Sequence, residues 1–183
     1  MRTLALRAPQ TRRVTFALVA GFAALLAVAS QVAIPIPGTP VPITLQPLVV
    51  VLAGLWLGPV AGAASMVLYL AAGAAGLPVF SPFGAPGILR FVGPTGGYLI
   101  AYPAVAAVTG WLAQQRGDLA GRALAAFAGL LVLFAGGLAH LVIFTGSVEH
   151  AFLLGLTPFA GLDIVKAVIA ATLAPNRESG AGA

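Results

Sequence analysis

Long apolar segments alternate along the chain with short breaks that contain Gly, Pro or charged residues. A helix of about 20 residues crosses a hydrocarbon core of about 30 Å. On that scale the pattern predicts six spans, at 14–34, 43–57, 59–76, 95–113, 123–144 and 151–174. We therefore expect an all-α integral membrane protein, with a single six-helix bundle over 14–174 between a basic N-terminus at 1–13 and a tail at 175–183.

The composition supports a membrane protein. Of the 183 residues 60% are hydrophobic and only 7% are charged, and the mean hydropathy is +1.05. Gly (23) and Pro (14) are also abundant, as they are in membrane helices. The absence of cysteine excludes a disulfide framework, thiol catalysis and a Cys-ligated metal.

The basic residues predict the orientation of the chain. Six spans place both termini and the loop 114–122 on one side, together with seven of the nine basic residues. Because positive loops stay in the cytoplasm, we expect cytoplasmic N- and C-termini in the inner (cytoplasmic) membrane. The net charge of +5 then reflects topology and not nucleic-acid binding. The seven residues are Arg2, Arg7, Arg12, Arg13, Arg116, Arg122 and Arg177.

The N-terminus also has features of a secretory signal. A basic region precedes an apolar stretch, and Ala27-Val28-Ala29 is similar to a small-residue cleavage site. The apolar run continues past Ala29 to a length of about 21 residues, which favours a retained helix. Cleavage would leave five spans with the same orientation, so the charge pattern is compatible with both.

The segment between the first two spans contains Pro35, Pro37, Pro40 and Pro42 and is not expected to be regular helix. Irregular backbone at membrane depth must be buried in protein or line a wet cavity. This segment is therefore a candidate wall of a binding site.

Asp163 and Lys166 are the two charges inside the apolar run 151–174. Charges within the membrane are costly, so they usually pair, face the bundle interior and mark a ligand or ion pathway. At a spacing of three residues the two side chains share one helical face. The pair predicts either a ligand site with one acceptor and one cationic donor, which suits a cyclic urea or amide, or a structural ion pair.

Arg90 is the only charge in a Gly/Pro-rich loop at 77–92 and precedes Gly93-Pro94-Thr95-Gly96-Gly97-Tyr98. Its planar guanidinium could hold a carboxylate. The alternative is an interfacial arginine whose charge reaches water. The neighbouring glycines permit close helix approach or exposed backbone amides.

The sequence contains few signals of metal binding, catalysis or nucleotide hydrolysis. His140, Glu149 and His150 have no metal-ligand spacing, and no serine lies in a nucleophile motif. No phosphate-binding loop occurs, so ATP hydrolysis would belong to another protein. We expect that the protein is not an enzyme and that it binds neither a cofactor nor a metal ion. On the first helix Ala20 and Ala24 form a small-residue stripe that allows either internal packing or contact with a partner helix.

Several blocks together resemble BioY, the family of biotin-specific substrate-binding S components of energy-coupling-factor (ECF) transporters. They occur in the family's order and spacing, from about Pro40 to the end of the last span. The blocks are Pro42-Ile43-Thr44-Leu45-Gln46, Tyr69 with Gly73, Gly76-Leu77-Pro78-Val79-Phe80, the Gly93–Tyr98 block, and Asp163 with Lys166.

The resemblance implies high-affinity biotin binding near the outer face under a loop. It places Asp163 and Lys166 on the ureido ring and Arg90 toward the valerate carboxylate. Ser81, Tyr98 and Gly96 are further expected substrate contacts. Ala20 and Ala24 resemble the face that S components present to the transmembrane T subunit, which acts with two ATPases. The alternatives are an S component for another small vitamin and a structural membrane protein without a ligand.

Overall fold

The computed structural model describes residues 12–176. Arg2, Arg7 and Arg177, and with them most of the predicted cytoplasmic N-terminus and tail, lie outside the described residues. The elements are α1 (Arg12–Gln31), β1 (Ala33–Ile34), β2 (Ile43–Thr44), α2 (Gln46–Leu57), α3 (Pro59–Ala74), a 3₁₀ helix (Gly87–Phe91), α4 (Gly96–Gln115), α5 (Leu119–Thr145), α6 (Val148–Gly155) and α7 (Ala160–Leu173).

The described chain is an all-α bundle, as predicted, with one short two-stranded ribbon. By length and composition α1, α4 and α5 could each cross a membrane, and the bent pair α6 and α7 could form a fourth crossing. Helices α2 and α3 are apolar but shorter. Each of the six predicted segments contains helix, so six membrane segments approximate the architecture when α6 and α7 are taken as one.

The last predicted span differs from the expectation because it is two helices. The helix α6 ends at Gly155, α7 begins at Ala160, and their axes differ by 52°. Pro158 explains the break: it has no N–H to donate to the carbonyl of Leu154, and its ring would clash with that carbonyl in a continuous helix. The carbonyl of Leu154 instead accepts a hydrogen bond of 2.7 Å from Thr39 Oγ1.

The proline-rich segment is held at both of its ends. The strands β1 and β2 pair in antiparallel register, Ala33 with Thr44 and Ile34 with Ile43. The predicted helical spans to 34 and from 43 are therefore too long at these ends. The ribbon closes the segment 35–42 into a loop, and Thr39 ties the loop to α6. The irregular backbone expected from the prolines is thus present and ordered by specific contacts.

Glycines allow the helices around α4 to approach closely. A Cβ atom added at Gly97 would lie 2.3 Å from the Cβ of His140 and 2.4 Å from the carbonyl oxygen of Gly136. Such distances are far shorter than carbon contacts allow, so Gly97 fixes how closely α4 and α5 pack. At the turn between α2 and α3, Gly58 has φ of 82°, a conformation that favours glycine.

Candidate functional site

A cavity inside the bundle is bounded by the proline-rich segment, the start of α2, the loop before α4, the helices α4 and α5, and the start of α7. The expectation that the proline-rich segment lines a cavity is confirmed by Val41 and Pro42. The lining residues are Val41, Pro42, Thr44, Gln46, Pro47, Phe80, Ser81, Arg90, Thr95, Tyr98, Leu99, Tyr102, Leu133, Phe134, Phe159, Asp163 and Lys166.

Asp163 and Lys166 form an ion pair in the wall of this cavity. Lys166 Nζ lies 2.7 Å from Asp163 Oδ1, and the side chains are only 11% and 6% exposed. The break before α7 places Asp163 in the first turn of that helix. A carboxylate is stabilised there by the partial positive charge of the helix N-terminus. Both partners are therefore candidates for polar contacts with a ligand.

Arg90 also lines the cavity, and it is only 5% exposed. An arginine that reaches water at an interface is thus the less suitable of the two interpretations. Its terminal nitrogens donate to the backbone carbonyls of Ser81 and Phe83, and its charge lies 5.8 Å from the ring centre of Phe80. Its Nε is buried without a hydrogen-bond partner among residues 12–176. Arg90 therefore orders the loop, and its side chain also forms part of the cavity wall.

Of the other expected contacts, Ser81 and Tyr98 line the cavity and Gly96 does not. Tyr98 donates its hydroxyl proton to the carbonyl of Gly155 over 2.8 Å. That carbonyl lies at the end of α6, so Tyr98 supports the break that positions Asp163. A Cβ at Gly96 would lie 1.9 Å from the carbonyl oxygen of Phe91, so Gly96 serves the packing of the turn before α4.

The sequence analysis missed polar residues at the start of α2. Thr44 Oγ1 donates to Gln46 Oε1 over 3.2 Å, and Gln46 Nε2 donates to the hydroxyl of Tyr69 over 2.9 Å. Both Thr44 and Gln46 line the cavity. A lone glutamine in an apolar segment is a signal that could have identified the site, because a buried amide needs partners. Tyr102, one helical turn after Tyr98, was missed as well.

The alanines of α1 lie in different environments. Ala20 and Ala24 are exposed on the surface of the described chain, whereas Ala23 and Ala29 are buried in the bundle. Internal packing therefore accounts for Ala23 and Ala29 and not for Ala20 and Ala24. The exposed pair remains available to lipid or to another helix.

The site has the composition of a small-molecule pocket. Aliphatic and aromatic walls surround a carboxylate, an ammonium and a guanidinium, which suits a ligand with an apolar body and polar groups. In the part of the chain that the structure describes, no group of three His, Asp or Glu residues could hold a metal ion. The fold and site define a helical membrane protein with a cavity in its bundle that suits a small polar ligand.

The chain belongs to the BioY family, whose model matches residues 2–181. It is 45% identical over 157 residues to the "Probable biotin transporter BioY" of Pyrococcus horikoshii, which covers 86% of this chain and 91% of that protein. It is 37% identical over 153 residues to the "Biotin transporter BioY" of Thermotoga maritima, which covers 84% and 89%.

A solved structure shares the fold. It is described as the S-component for biotin from an ECF-type ABC transporter, and it superposes with a TM-score of 0.79 at 26% identity. The match covers 87% of this chain and 88% of the other. The resemblance to the family that the sequence blocks indicated is therefore confirmed over nearly the whole chain.

Proposed function

We propose that this protein binds biotin in the membrane as the S component of an ECF-type transporter and mediates biotin uptake. The observation that carries the proposal is the position of the Asp163–Lys166 pair. An ion pair used only for packing needs no access to a cavity, whereas this one lines a cavity with apolar walls. Membership of the BioY family and the names of its relatives support biotin as the ligand.

The polar groups of the site match the ends of biotin. A cyclic urea offers N–H donors to Asp163 and a carbonyl acceptor to Lys166, so the pair suits the ureido ring. Arg90, whose side chain lines the same cavity, suits the valerate carboxylate because a guanidinium can donate two hydrogen bonds to a carboxylate. Ser81 is a further contact in this arrangement, and Phe80 and Phe159 offer aromatic surface to the bicyclic ring.

The mechanism is capture and release without covalent chemistry. The cavity removes the ligand from water and the polar groups fix its orientation. Energy for inward release would come from a T subunit and two ATPase subunits, because this sequence contains no phosphate-binding loop. The exposed Ala20 and Ala24 are the proposed contact with the T subunit, since small residues let helix backbones approach closely. The termini are proposed to lie in the cytoplasm, at the inner membrane.

Binding of radiolabelled biotin to the purified protein in detergent tests the proposal. We expect saturable binding that unlabelled biotin displaces and that thiamine and riboflavin do not. Displacement by one of those vitamins would instead assign the protein to a different ligand. Folded protein that binds none of the three would indicate a structural role for the ion pair.

A further inference from the structure

The chain contains three tyrosines, and their hydroxyl groups differ in hydrogen bonding. All three lie on α3 or α4 around the cavity, and each has most of its ring inside the protein. A buried tyrosine hydroxyl normally has a hydrogen-bond partner, because removing a polar group from water without one is costly. The presence or absence of a partner within the protein therefore indicates whether a tyrosine hydroxyl is used for structure or is available to a ligand.

Tyr69 and Tyr98 are satisfied within the protein. The hydroxyl of Tyr69, a residue only 1% exposed, accepts a hydrogen bond from Gln46 Nε2. Tyr69 does not line the cavity. The hydroxyl of Tyr98 donates to the carbonyl of Gly155, so this residue borders the cavity with its polar group already used.

Tyr102 has no such partner. The residue is only 4% exposed and lines the cavity, yet its hydroxyl makes no hydrogen bond to any of residues 12–176. Within that range the polar side-chain atoms that are both fully enclosed and unpartnered belong to Arg90, Thr109 and Arg122. The hydroxyl of Tyr102 is not one of them, so it keeps access to the cavity.

Tyr102 shares the cavity with the ion pair. Tyr102, Asp163 and Lys166 all line it, and Asp163 forms its side-chain hydrogen bond with Lys166. The ring centres of Tyr102 and Tyr69 lie 6.5 Å apart with the planes tilted by 31°, and Tyr69 is held by its hydrogen bond with Gln46. A phenol without a hydrogen-bond partner among residues 12–176 thus lies in the wall of the cavity that Asp163 and Lys166 also line.

We propose that Tyr102 binds the substrate directly, by donating its phenolic proton to the carbonyl oxygen of the ligand's polar ring. The inference rests on the proposed function, in which that ring is the ureido ring of biotin. In this arrangement the Asp163 carboxylate accepts hydrogen bonds from the ring N–H groups. A urea oxygen has two lone pairs, and Lys166 and Tyr102 supply one donor for each.

The test compares Tyr102→Phe with Tyr98→Phe and Tyr69→Phe in purified protein. Each substitution removes one oxygen atom from a tyrosine and keeps the ring. For Tyr102→Phe we expect biotin affinity to fall about 3- to 10-fold, the effect of one neutral hydrogen bond, at an unchanged melting temperature of the ligand-free protein. For Tyr69→Phe we expect a lower melting temperature, because Gln46 loses its partner.

Ligand analogues distinguish a direct contact from a general change in the cavity. Tyr102→Phe should lower the affinity for the amide of biotin by the same factor as the affinity for biotin itself, because the ring is the same in both. The diamine derived from biotin by removal of the ring carbonyl lacks the proposed acceptor. We therefore expect its affinity to be the same for the wild type and the variant. Radiolabelled competition in detergent measures all three ligands.

The possible failures are distinct. If the wild-type protein binds no biotin, the proposed function fails. If the wild type binds biotin and Tyr102→Phe binds it equally well, the proposed function stands and the Tyr102 contact is overturned. A loss of affinity that is the same for the diamine, or that comes with a melting temperature as low as that of Tyr69→Phe, also overturns the direct contact.

Discussion

Tyr98 and Gly155 are joined by a hydrogen bond of 2.8 Å that links α4 to the last carbonyl of α6. The carbonyl before it, that of Leu154, is held by Thr39. Two backbone acceptors left free by the break between α6 and α7 are thereby satisfied by side chains from other parts of the chain. Because the break defines where α7 begins, these contacts also define where Asp163 and Lys166 lie in the cavity.

Removing either charge of the ion pair should reduce binding. We expect Asp163→Asn or Lys166→Ala each to lower biotin affinity at least tenfold, about 1.4 kcal/mol, in protein that remains folded. Each single variant also leaves one buried charge unpaired and should lower the melting temperature. Equilibrium binding and thermal melting in detergent measure the two effects separately.

The double variant Asp163→Asn with Lys166→Met is the control for stability. It removes both charges and keeps the side-chain sizes similar, so we expect the melting temperature to recover toward that of the wild type. Biotin affinity should stay low, because the donor and acceptor are gone. Recovery of binding together with stability would show that the pair acts in packing and not in substrate recognition.

Arg90→Lys should alter both the loop and the preference for an acid. A lysine keeps the positive charge but lacks the planar fork that contacts the carbonyls of Ser81 and Phe83. We expect the variant to bind biotin more weakly and to lose part of the wild-type preference for biotin over its amide. Competition binding with the two ligands checks the ratio. An equal loss for both ligands would assign Arg90 to loop order alone.

Gly97→Ala should destabilise the bundle. Its Cβ would lie 2.3 Å from the Cβ of His140, so α4 and α5 must separate, at a cost of about 1–3 kcal/mol. Gly21→Ala is the matched control, because no atom lies within 4 Å of a Cβ at that helical position. Thermal melting should show a clear loss for Gly97→Ala only. A similar loss in both variants would contradict the close packing of α4 on α5.

Bulky residues on the outer face of α1 should block a partner without affecting the ligand. We expect Ala20→Trp with Ala24→Trp to prevent copurification with the T subunit of the same organism, at wild-type biotin affinity. Leu25→Trp is the control, since Leu25 is 47% exposed on the same helix and is already large. Normal copurification of the alanine double variant would remove this face from the proposed interface.

The sequence predicted the segments of the bundle well because a hydropathy pattern records which stretches are apolar. It missed the division of the last segment because apolar residues continue through it, although Pro158 was a visible breaker. The charged residues of the cavity were found from their rarity.

The neutral members of the site were harder to find. Gln46 is distinguished by its hydrogen bond to the distant Tyr69, and Tyr102 by lining the cavity without a hydrogen-bond partner among the described residues. Similarly, the position of Arg90 suggested a ligand contact, but its contacts with Ser81 and Phe83 depend on how the loop folds back. Hydrogen-bond satisfaction is a property of the folded structure, and a one-dimensional pattern does not contain it.

The division between α6 and α7 has a consequence for how the protein tolerates a carboxylate inside an apolar segment. An uninterrupted helix would surround position 163 with backbone amides already bonded to carbonyls one turn earlier. The new helix start places Asp163 in a first turn, where the partial positive charge of the helix N-terminus is concentrated. A proline that shortens the last crossing thus provides, at the level of the backbone, a second electrostatic counterpart to the acid besides Lys166.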